Sequence, residues 1–330
     1  MILVTGATGL VGAHLCLELL QKNQPVVALY RREKKRQALR HFFQNKAQLS
    51  LYEKIEWRKA DLCHLPQLTA AFNGITQVYH CAAYISMAYY KRAHLHEVNQ
   101  QGTAYVVNLC IANKVKKLAY VSSIAALGSD TYSTTIDENT PWNPTRDKTP
   151  YAYSKYGAEL EVWRASQEGV PVVIVNPGVI LGTGMPRTPL EQLVHQINKG
   201  LRFYPTGQTG YVAVEDVVEA LIRLMDNNHV NQRYILVAEN WSYKDLTGLV
   251  AKRLGKKAPS RALKPFYLYT AWVLESILSR LRLRSQFLSK ALVKSLSDQH
   301  IIDGSQIKRA LTDFNYRSIA SYIKKSLSAF

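Results

Sequence analysis

The chain opens on a short apolar run followed by three glycines spaced three residues apart, "MILVTGATGLVG". Residues 1–4 are too few for a helix core and predict a buried strand, whereas the apolar residues from Leu10 onward recur at helical spacing. Gly6, Gly9 and Gly12 therefore occupy a strand-to-helix turn, where glycine permits a tight bend and the helix N-terminus attracts an anion. This context predicts a pyrophosphate-binding turn. The alternative is a glycine-rich turn that binds no ligand.

Apolar runs alternate with helical patterns through the first half of the chain, and this alternation predicts βα units. We therefore expect an α/β fold with a doubly wound parallel sheet, a Rossmann fold, over residues 1–180. A smaller, mostly helical substrate-binding domain is expected over 181–330, with part of 208–236 returning to the first domain. The predicted strands are 25–30, 55–60, 77–83, 117–123 and 171–178, and the predicted helices are 9–22, 64–73, 91–113, 150–168 and 214–226.

The chain carries a net charge of +18. A basic surface attracts nucleic acid, anionic lipid or an anionic cofactor. No zinc finger, RNA-binding aromatic signature or basic low-complexity tail accompanies the charge, so we expect no nucleic-acid partner. Residue 1 runs directly into the first strand and the apolar stretch 265–274 is too short to span a bilayer, so we expect a cytoplasmic protein without a leader. No metal site is predicted, because metal-ligand spacing is absent among the four cysteines, which we expect to be free thiols: Cys16, Cys63, Cys81 and Cys110.

The end of the second predicted strand bears on the choice of cofactor. An acid at this point hydrogen-bonds the free 2′-hydroxyl of NAD, whereas an arginine accommodates the 2′-phosphate of NADP. The stretch "VVALYRREKKR" places Arg31 and Arg32 there and no acid. We therefore predict a preference for NADP(H), with NAD(H) or a merely solvated basic helix start as alternatives. Asp61, after the third strand, is expected to accept a hydrogen bond from the adenine amino group, to cap the next helix, or both.

A tyrosine and a lysine in "TPYAYSKYGAEL" predict proton-transfer chemistry. Thr149 is suited to cap a helix and Pro150 to occupy its first position, so Tyr151 and Lys155 stack one turn apart on one helix face. The pKa of a phenol is ordinarily about 10, and a nearby lysine ammonium lowers it by favouring the phenolate. Tyr153 has no lysine at this spacing. The alternative is an amphipathic helix whose lysine reaches solvent.

Seven stretches of the chain occur in an order that is typical of one family: "TGATGLVG", "KADL", "VYHCAA", "VNQQGT", "YVSSIAALG", "PYAYSK" and "YVAVEDVV". In combination they resemble the extended short-chain dehydrogenases/reductases, which include nucleotide-sugar epimerases and dehydratases, dihydroflavonol reductases and 3β-hydroxysteroid dehydrogenases. The resemblance covers residues 1 to about 220, and the C-terminal hundred residues are similar only in their general pattern.

The resemblance implies roles for individual residues. Tyr151 would be the general acid/base, Lys155 would bind the nicotinamide ribose and lower the pKa of the tyrosine, and Ser123 would hold the substrate oxygen. Ser122 is the adjacent alternative to Ser123, and Asn99 is expected to be structural. The implied cofactor-binding residues are Gly6, Thr8, Gly9, Leu10, Val11, Arg31, Arg32, Asp61, Leu62, Ala82, Ala83, Tyr151, Lys155, Pro177, Gly178 and Val179. His80 is expected to be a core residue and not a base.

The sequence departs from the nucleotide-sugar members of this family after the sixth strand. Those members usually carry "RPxNVYGP", whereas this chain has "VNPGVILGTG", with Asn176 in place of the arginine and Val179 in place of the asparagine. An apolar residue offers nothing to a diphosphate, so a mostly apolar substrate is favoured. The loop 82–92 is the candidate substrate loop, because its aromatic and sulfur side chains offer apolar faces. They are Tyr84, Met87 and Tyr89.

Residues 264–294 combine an apolar stripe at helical spacing with a run of positive charge. A basic amphipathic helix with aromatic residues can lie on an anionic membrane. The alternative is a helix that packs over the substrate pocket with a solvated basic edge. The stripe consists of Val273, Leu274, Ile277, Leu278 and Leu281, and the charges are Arg280, Arg282, Arg284, Lys290 and Lys294.

These features together predict an NADP-dependent oxidoreductase that transfers a hydride between nicotinamide and a carbonyl or secondary alcohol of a mostly apolar small molecule. One alternative is a nucleotide-sugar epimerase or dehydratase that uses the same Ser-Tyr-Lys set. The other is a non-enzymatic NADP(H) sensor, which would have no need of that set. The resemblance also implies a homodimer, by analogy alone.

Overall fold

The computed structural model describes residues 1–128, 134–143, 148–281, 283 and 285–327. Strands and helices alternate through the first half of the chain, as the sequence predicts. The strands are β1 (Ile2–Thr5), β2 (Val26–Tyr30), β3 (Glu56–Lys59), β4 (Gln77–His80), β5 (Lys117–Val121), β6 (Thr135–Ile136), β7 (Val172–Pro177), β8 (Val179–Leu181), β9 (Phe203–Pro205), β10 (Gln208–Ala213), β11 (Gln232–Leu236), β12 (Glu239–Ser242), β13 (Arg261–Leu263) and β14 (Ile301–Ile302).

The predicted helix 91–113 is interrupted in the structure by a π-helical turn, His96–Gln101. A 3-10 turn, Tyr89–Lys91, precedes it, and another, Ile124–Ala126, follows β5. The α-helices are α1 (Leu10–Gln21), α2 (Glu33–Asn45), α3 (Leu49–Tyr52), α4 (Leu65–Ala71), α5 (Arg92–Leu95), α6 (Gly102–Ala112), α7 (Pro150–Gln167), α8 (Pro189–Asn198), α9 (Val214–Asp226), α10 (Tyr243–Arg253), α11 (Pro265–Arg280), α12 (Lys290–Leu296), α13 (Gln306–Ala310) and α14 (Ile319–Leu327).

Seven strands form one parallel sheet in the order β3-β2-β1-β4-β5-β7-β11. The order reverses between β1 and β4, which creates the crevice where sheets of this kind bind ligands. Strands β1, β5 and β7 are buried along their whole length, because helices cover both faces of the sheet. The prediction of a doubly wound α/β fold is confirmed.

The first β–α turn requires glycine both for space and for backbone conformation. Gly6 has a φ of +67°, in the left-handed region, and a Cβ there would lie 2.6 Å from the backbone nitrogen of Ala82. A Cβ at Gly12 would lie 2.3 Å from the carbonyl oxygen of Gly6. The turn is therefore packed tightly between the start of α1 and the chain that leaves β4.

The second half of the chain adds smaller sheets after the carboxyl end of β7. β10 pairs in parallel with β8 and antiparallel with β12, β9 pairs with β13, and β6 pairs with β14. Helices α8, α10 and α14 build a separate apolar core against β10. The chain also returns to the large sheet, because β11 pairs with β7 and α9 packs against α1.

The basic stretch 264–294 forms two helices instead of one. α11 ends at Arg280 and α12 begins at Lys290. The carboxylate of Glu275 accepts the backbone N–H groups of Phe287 (3.1 Å) and Leu288 (2.8 Å) and so folds the connection back onto α11. Arg282 and Arg284 lie outside the described residues. None of the helices that the structure describes is long and apolar enough to cross a membrane.

A buried lysine joins the large sheet to α9. The Nζ atom of Lys117, on β5, donates to the carbonyl oxygens of Leu224 (2.6 Å), Met225 (3.4 Å) and Asn227 (2.6 Å). Carbonyl groups at the end of a helix have no partner within the helix, and a positive charge there is favourable. Lys117 thus caps α9 through the tertiary structure.

We expect Lys117→Met to lower the free energy of unfolding by about 1–3 kcal/mol, because it leaves buried carbonyl groups without a donor. Urea unfolding followed by circular dichroism measures this loss. Lys116→Met is the matched control, since Lys116 is the exposed neighbour, and its effect should stay within about 0.5 kcal/mol. Equal stability of the two variants would contradict the proposed capping.

Candidate active site

The structure places the predicted tyrosine and lysine inside the protein. The side chain of Thr149 accepts a backbone N–H from the first turn of α7 and Pro150 begins that helix. Tyr151 and Lys155 follow one turn apart and are only 8% and 1% exposed, whereas Tyr153 is 47% exposed. The helix therefore directs Tyr151 and Lys155 toward the large sheet and Tyr153 toward solvent.

The two serines that follow β5 have different partners. Ser122 is buried, and its hydroxyl donates to Oε2 of Glu159 at 2.7 Å. Ser123 is half-buried, its Oγ accepts the N–H of Ala125 at 3.1 Å, and its side chain lies close enough to Tyr151 to lower the pKa of the phenol slightly against the effect of burial. The structure therefore brings Ser123, and not Ser122, to the tyrosine.

Burial controls the protonation of Tyr151 and Lys155. It raises the pKa of Tyr151 to about 12 and lowers the pKa of Lys155 to about 7. The Nζ atom of Lys155 donates to Oη of Tyr120 (2.7 Å) and to the carbonyl oxygen of Val121 (2.8 Å). The structure thus differs from the expectation that the lysine lowers the pKa of the tyrosine, because desolvation of the phenol dominates. The phenol of Tyr151 is therefore neutral at neutral pH.

A line of buried polar side chains connects Lys155 to the first strand. Tyr120 lies beside Thr103, and Oγ1 of Thr103 lies 2.9 Å from Nε2 of His80. Nδ1 of His80 lies 2.6 Å from Oγ1 of Thr5. Burial lowers the pKa of His80 to about 3, so its ring is neutral at physiological pH. His80 is therefore a hydrogen-bonded core residue that ties β4 to β1.

Glu159 supports the site, and the sequence analysis did not identify it. It is 2% exposed. Besides the serine hydroxyl, its carboxylate accepts from Nδ2 of Asn176 (2.9 Å) and from Nη1 of Arg233 (3.1 Å). Asn176 also donates to the carbonyl oxygen of Ser123 at 3.0 Å. The available signal was its position one turn beyond Lys155 on the same face of α7.

The predicted phosphate-binding turn has the features that an anion requires. Gly9 precedes α1, and within the described part of the chain no side chain caps the first turn of that helix, so no side-chain acceptor competes for its N–H groups. The N–H of Gly9 donates to the carbonyl oxygen of Gly6 at 2.9 Å and closes the turn. These residues fit a pyrophosphate. Thr8, Leu10 and Val11 complete the turn.

Two of the predicted cofactor residues at the ends of β2 and β3 contact each other. Nη1 of Arg31 lies 3.3 Å from Oδ2 of Asp61, and both side chains are partly exposed. Arg32 is exposed and immediately precedes α2. The structure thus places two arginines and one aspartate at the edge of the sheet where a ribose would lie in a dinucleotide-binding fold.

The prediction that Asp61 caps the next helix is wrong. Its Oδ1 atom accepts the N–H of Cys63 at 3.1 Å, but α4 begins only at Leu65, so Asp61 lies too early in the chain. His64 is the cap, because its Nδ1 atom accepts a backbone N–H of the first helical turn. Leu62 is half-buried between them.

The remaining predicted cofactor residues follow β4 and β7. Ala82 and Ala83 come after β4, and the N–H of Ala82 donates to the side chain of Thr5 at 3.2 Å. Pro177 ends β7, and a Cβ at Gly178 would lie 2.3 Å from the carbonyl oxygen of Gly210, so glycine allows β7 and β10 to meet. Val179 begins β8. The predicted residues therefore share the carboxyl edge of the sheet, where such sheets bind ligands.

The candidate substrate loop, residues 82–92, is anchored at both ends. Near its start, Asn99 in the π-helical turn accepts the N–H of Tyr84 (2.7 Å) and donates to its carbonyl oxygen (2.9 Å). Near its end, the N–H of Tyr89 donates to the carbonyl oxygen of Phe287 at 3.1 Å. Met87 lies between these anchors and is partly exposed. The loop therefore contacts the segment that connects α11 to α12.

Residues 2–238 match the model of the NAD dependent epimerase/dehydratase family. The sterol demethylase protein B of Methylococcus capsulatus is 27% identical over 80% of this chain and 77% of its own length. A Synechocystis protein named as a candidate dihydroflavonol 4-reductase is 27% identical over 94% of this chain and 92% of its own. The cinnamoyl-CoA reductase 1 of Petunia hybrida is 27% identical over 76% of this chain and 77% of its own length.

Solved structures share the fold over almost the whole chain. The crystal structure of gox2253 has a TM-score of 0.82 and 26% identity, and covers 99% of this chain and 97% of that one. The UDP-glucuronic acid 4-epimerase of Bacillus cereus in complex with NAD has a TM-score of 0.73 and 19% identity. The match covers 98% of this chain and 96% of that one. Because the epimerase is only 19% identical to this chain, its similarity shows a shared fold and nothing further.

The low pKa of Lys155 predicts a pH-dependent stability. Burial lowers this pKa to about 7 in the folded protein, whereas an unfolded lysine titrates near about 10.4. The unfolded state therefore binds more protons between about pH 7 and 10, so stability rises with pH in this window. Relative to Lys155→Met, the free energy of unfolding of the natural protein should increase from about pH 7 to 10. Urea titrations of both proteins measure the difference, and a difference independent of pH would contradict the burial of this amine.

Proposed function

The chain belongs to the NAD dependent epimerase/dehydratase family, and on this premise we propose that it is a reductase that uses NADPH on carbonyl groups of mostly apolar substrates. The observation that carries the proposal is the buried, neutral phenol of Tyr151 beside Ser123 at the carboxyl edge of the sheet. The phenol carries its proton at neutral pH, and the reduction of a carbonyl group requires a proton donor beside the carbonyl oxygen. The cofactor of the family is a nicotinamide dinucleotide.

Each residue of the site would have a separate role in the reduction of the carbonyl group. When bound, the nicotinamide supplies the hydride that the carbonyl carbon gains. Ser123 would donate a hydrogen bond to the carbonyl oxygen, and the Tyr151 hydroxyl would give that oxygen its proton, which leaves a secondary alcohol. Lys155 would hold the nicotinamide ribose. The turn from Gly6 to Val11 would hold the pyrophosphate, since its N–H groups lie at a helix N-terminus.

The preference for NADPH rests on charge at the end of β2. Arg31 and Arg32 are both exposed there, and the acid that would accept from a free 2′-hydroxyl is absent from that strand end. Asp61 lies within reach of the same region, but Arg31 partners it. We therefore assign the two arginines to the 2′-phosphate, with NAD(H) as the alternative cofactor.

The substrate class is inferred from the apolar surroundings of the site. Val179 lies where the nucleotide-sugar members usually carry an asparagine, and the loop around Tyr84, Met87 and Tyr89 presents apolar faces. A relative of this chain is named sterol demethylase protein B, which supports the same class because a sterol is mostly apolar. A relative of Streptomyces bikiniensis is named dTDP-4-dehydro-6-deoxy-D-allose reductase, so a nucleotide-sugar substrate is the alternative.

The arginines can be tested by cofactor kinetics. Arg31→Ala together with Arg32→Ala should raise the KM for NADPH at least about tenfold, because even one lost charged hydrogen bond costs about 1.5–3 kcal/mol. The KM for NADH should change little. Lys34→Ala with Lys35→Ala is the matched control, since it removes the same charge from exposed positions on α2. Equal effects on both cofactors would contradict a 2′-phosphate site.

Turnover of bulky apolar ketones and of nucleotide-sugar ketones with NADPH tests the activity itself. Tyr151→Phe should reduce turnover of the apolar ketones by at least about 100-fold, the contribution of a positioned proton donor. Tyr153→Phe, on the exposed side of the same helix, should retain turnover. Activity confined to nucleotide sugars would favour the epimerase/dehydratase alternative. Cofactor binding without any turnover would favour the sensor.

A further inference from the structure

Helix α11 exposes most of its apolar residues. Within α11, all of which is described, Leu268 alone is buried. Four exposed apolar residues of the helix and Leu281, the residue after its end, lie on one helical face at spacings of seven, one, three and four residues. This is the pattern of an amphipathic helix, and the described part of the chain leaves its apolar side exposed. We call this set the α11 face. It consists of Phe266, Val273, Leu274, Ile277 and Leu281, each 47–70% exposed.

The exposed apolar surface continues from α11 to the candidate substrate loop. Leu283 and Phe287 follow α11 and are themselves exposed. The connection that carries them pairs with the loop, because the N–H groups of Tyr89 and Tyr90 donate to the carbonyl oxygens of Phe287 and Gln286, both at 3.1 Å. Two further apolar residues of the loop, Ile85 and Met87, are exposed as well. Contiguous apolar surface of this kind marks an interaction site.

The charge of the region around the α11 face indicates which kind of partner surface it would bind. Residues 264–297, which contain the α11 face, hold six Lys and Arg and a single acid, Glu275, so they carry +5 of the net charge of +18. The carboxylate of Glu275 is engaged by two backbone N–H groups. Two copies that met through this surface would bring like charges together, which is unfavourable. An anionic surface would be complementary.

We propose that the α11 face docks on the surface of an anionic lipid bilayer, with the helix lying in the plane of the interface. Apolar side chains on one side, positive charges nearby and aromatic rings along the helix are the features of a helix that binds there. Four aromatic residues lie in α11: Phe266, Tyr267, Tyr269 and Trp272. Lysine and arginine near the surface would each add attraction to anionic headgroups. This docking goes beyond the proposed reductase activity and does not depend on it.

Vesicle co-sedimentation tests the proposal without any enzyme assay. The probes are vesicles of phosphatidylcholine alone and vesicles that contain about one third phosphatidylglycerol. We expect the full chain to bind the anionic vesicles at least about tenfold more tightly, with the preference falling at high salt because salt screens the charges. Binding to neither vesicle, or equally to both, would overturn the proposal.

Paired variants test whether vesicle binding depends on the apolar side chains of the α11 face or only on the net charge of the protein. Leu274→Asp with Ile277→Asp should weaken binding to the anionic vesicles at least about tenfold, because two apolar side chains that would enter the bilayer interface are lost. Leu65→Asp with Val230→Asp is the matched control, since both residues are exposed elsewhere on the protein and the charge change is the same. Equal weakening by both pairs would show attraction by net charge alone and would overturn the α11 face as the contact.

Two further measurements test whether a loss of vesicle binding could instead result from misfolding or from self-association. Arg280→Gln with Lys294→Gln leaves the α11 face intact and exchanges exposed charges, so it should weaken anionic binding and preserve the circular dichroism spectrum. Sedimentation velocity gives the oligomeric state without lipid. A dimer that Leu274→Asp with Ile277→Asp converts to monomer, in a chain that binds no vesicles, would assign the α11 face to a second copy and overturn the proposal.

Discussion

A buried carboxylate holds the candidate active site together. Glu159 lies on α7, and its oxygens accept hydrogen bonds from groups that follow or belong to β5, β7 and β11: Ser122, Asn176 and Arg233. The carboxyl edge of the sheet and the helix that carries the tyrosine are thereby fixed relative to each other. Because Arg233 balances its charge, the carboxylate remains paired when water is excluded. Removal of one partner would leave a buried charge next to the serine that faces Tyr151.

The same exclusion of water decides the protonation of the site. Desolvation penalises both the phenolate of Tyr151 and the ammonium of Lys155, so it favours the neutral form of each group. Lys155 nevertheless has three neighbours that support the ammonium: the hydroxyl of Tyr120, the carbonyl oxygen of Val121 and the carboxylate of Glu159. At neutral pH the phenol of Tyr151 therefore carries its proton, which the proposed reduction requires, and the charge of the Lys155 amine changes near neutral pH.

Periodicity and turn chemistry were enough to predict the large sheet, the glycine turn and the start of α7, because these depend on local residues. The predicted helix 214–226 matches α9 residue for residue. Contacts between distant segments were beyond such reasoning. The pairing of Lys117 with the end of α9 joins residues more than a hundred positions apart, and Glu159 gains its role only when three strands meet α7. The prediction of the residue that caps α4 was wrong for a smaller reason. Aspartate commonly caps helices, so Asp61 was the expected cap, whereas the observed cap, His64, belongs to a residue type that rarely does so.

The proposed substrate class and the proposed docking meet in the loop that follows β4. A mostly apolar carbonyl compound is concentrated in a bilayer and scarce in water, by the same transfer free energy that favours burial of the α11 face. Tyr89 and Tyr90 bond the loop to the chain that leaves α11, so a helix held at the interface would hold the loop there too. Exposed apolar residues on both segments, which would be a liability for a protein in water alone, then form one surface at the entrance to the site.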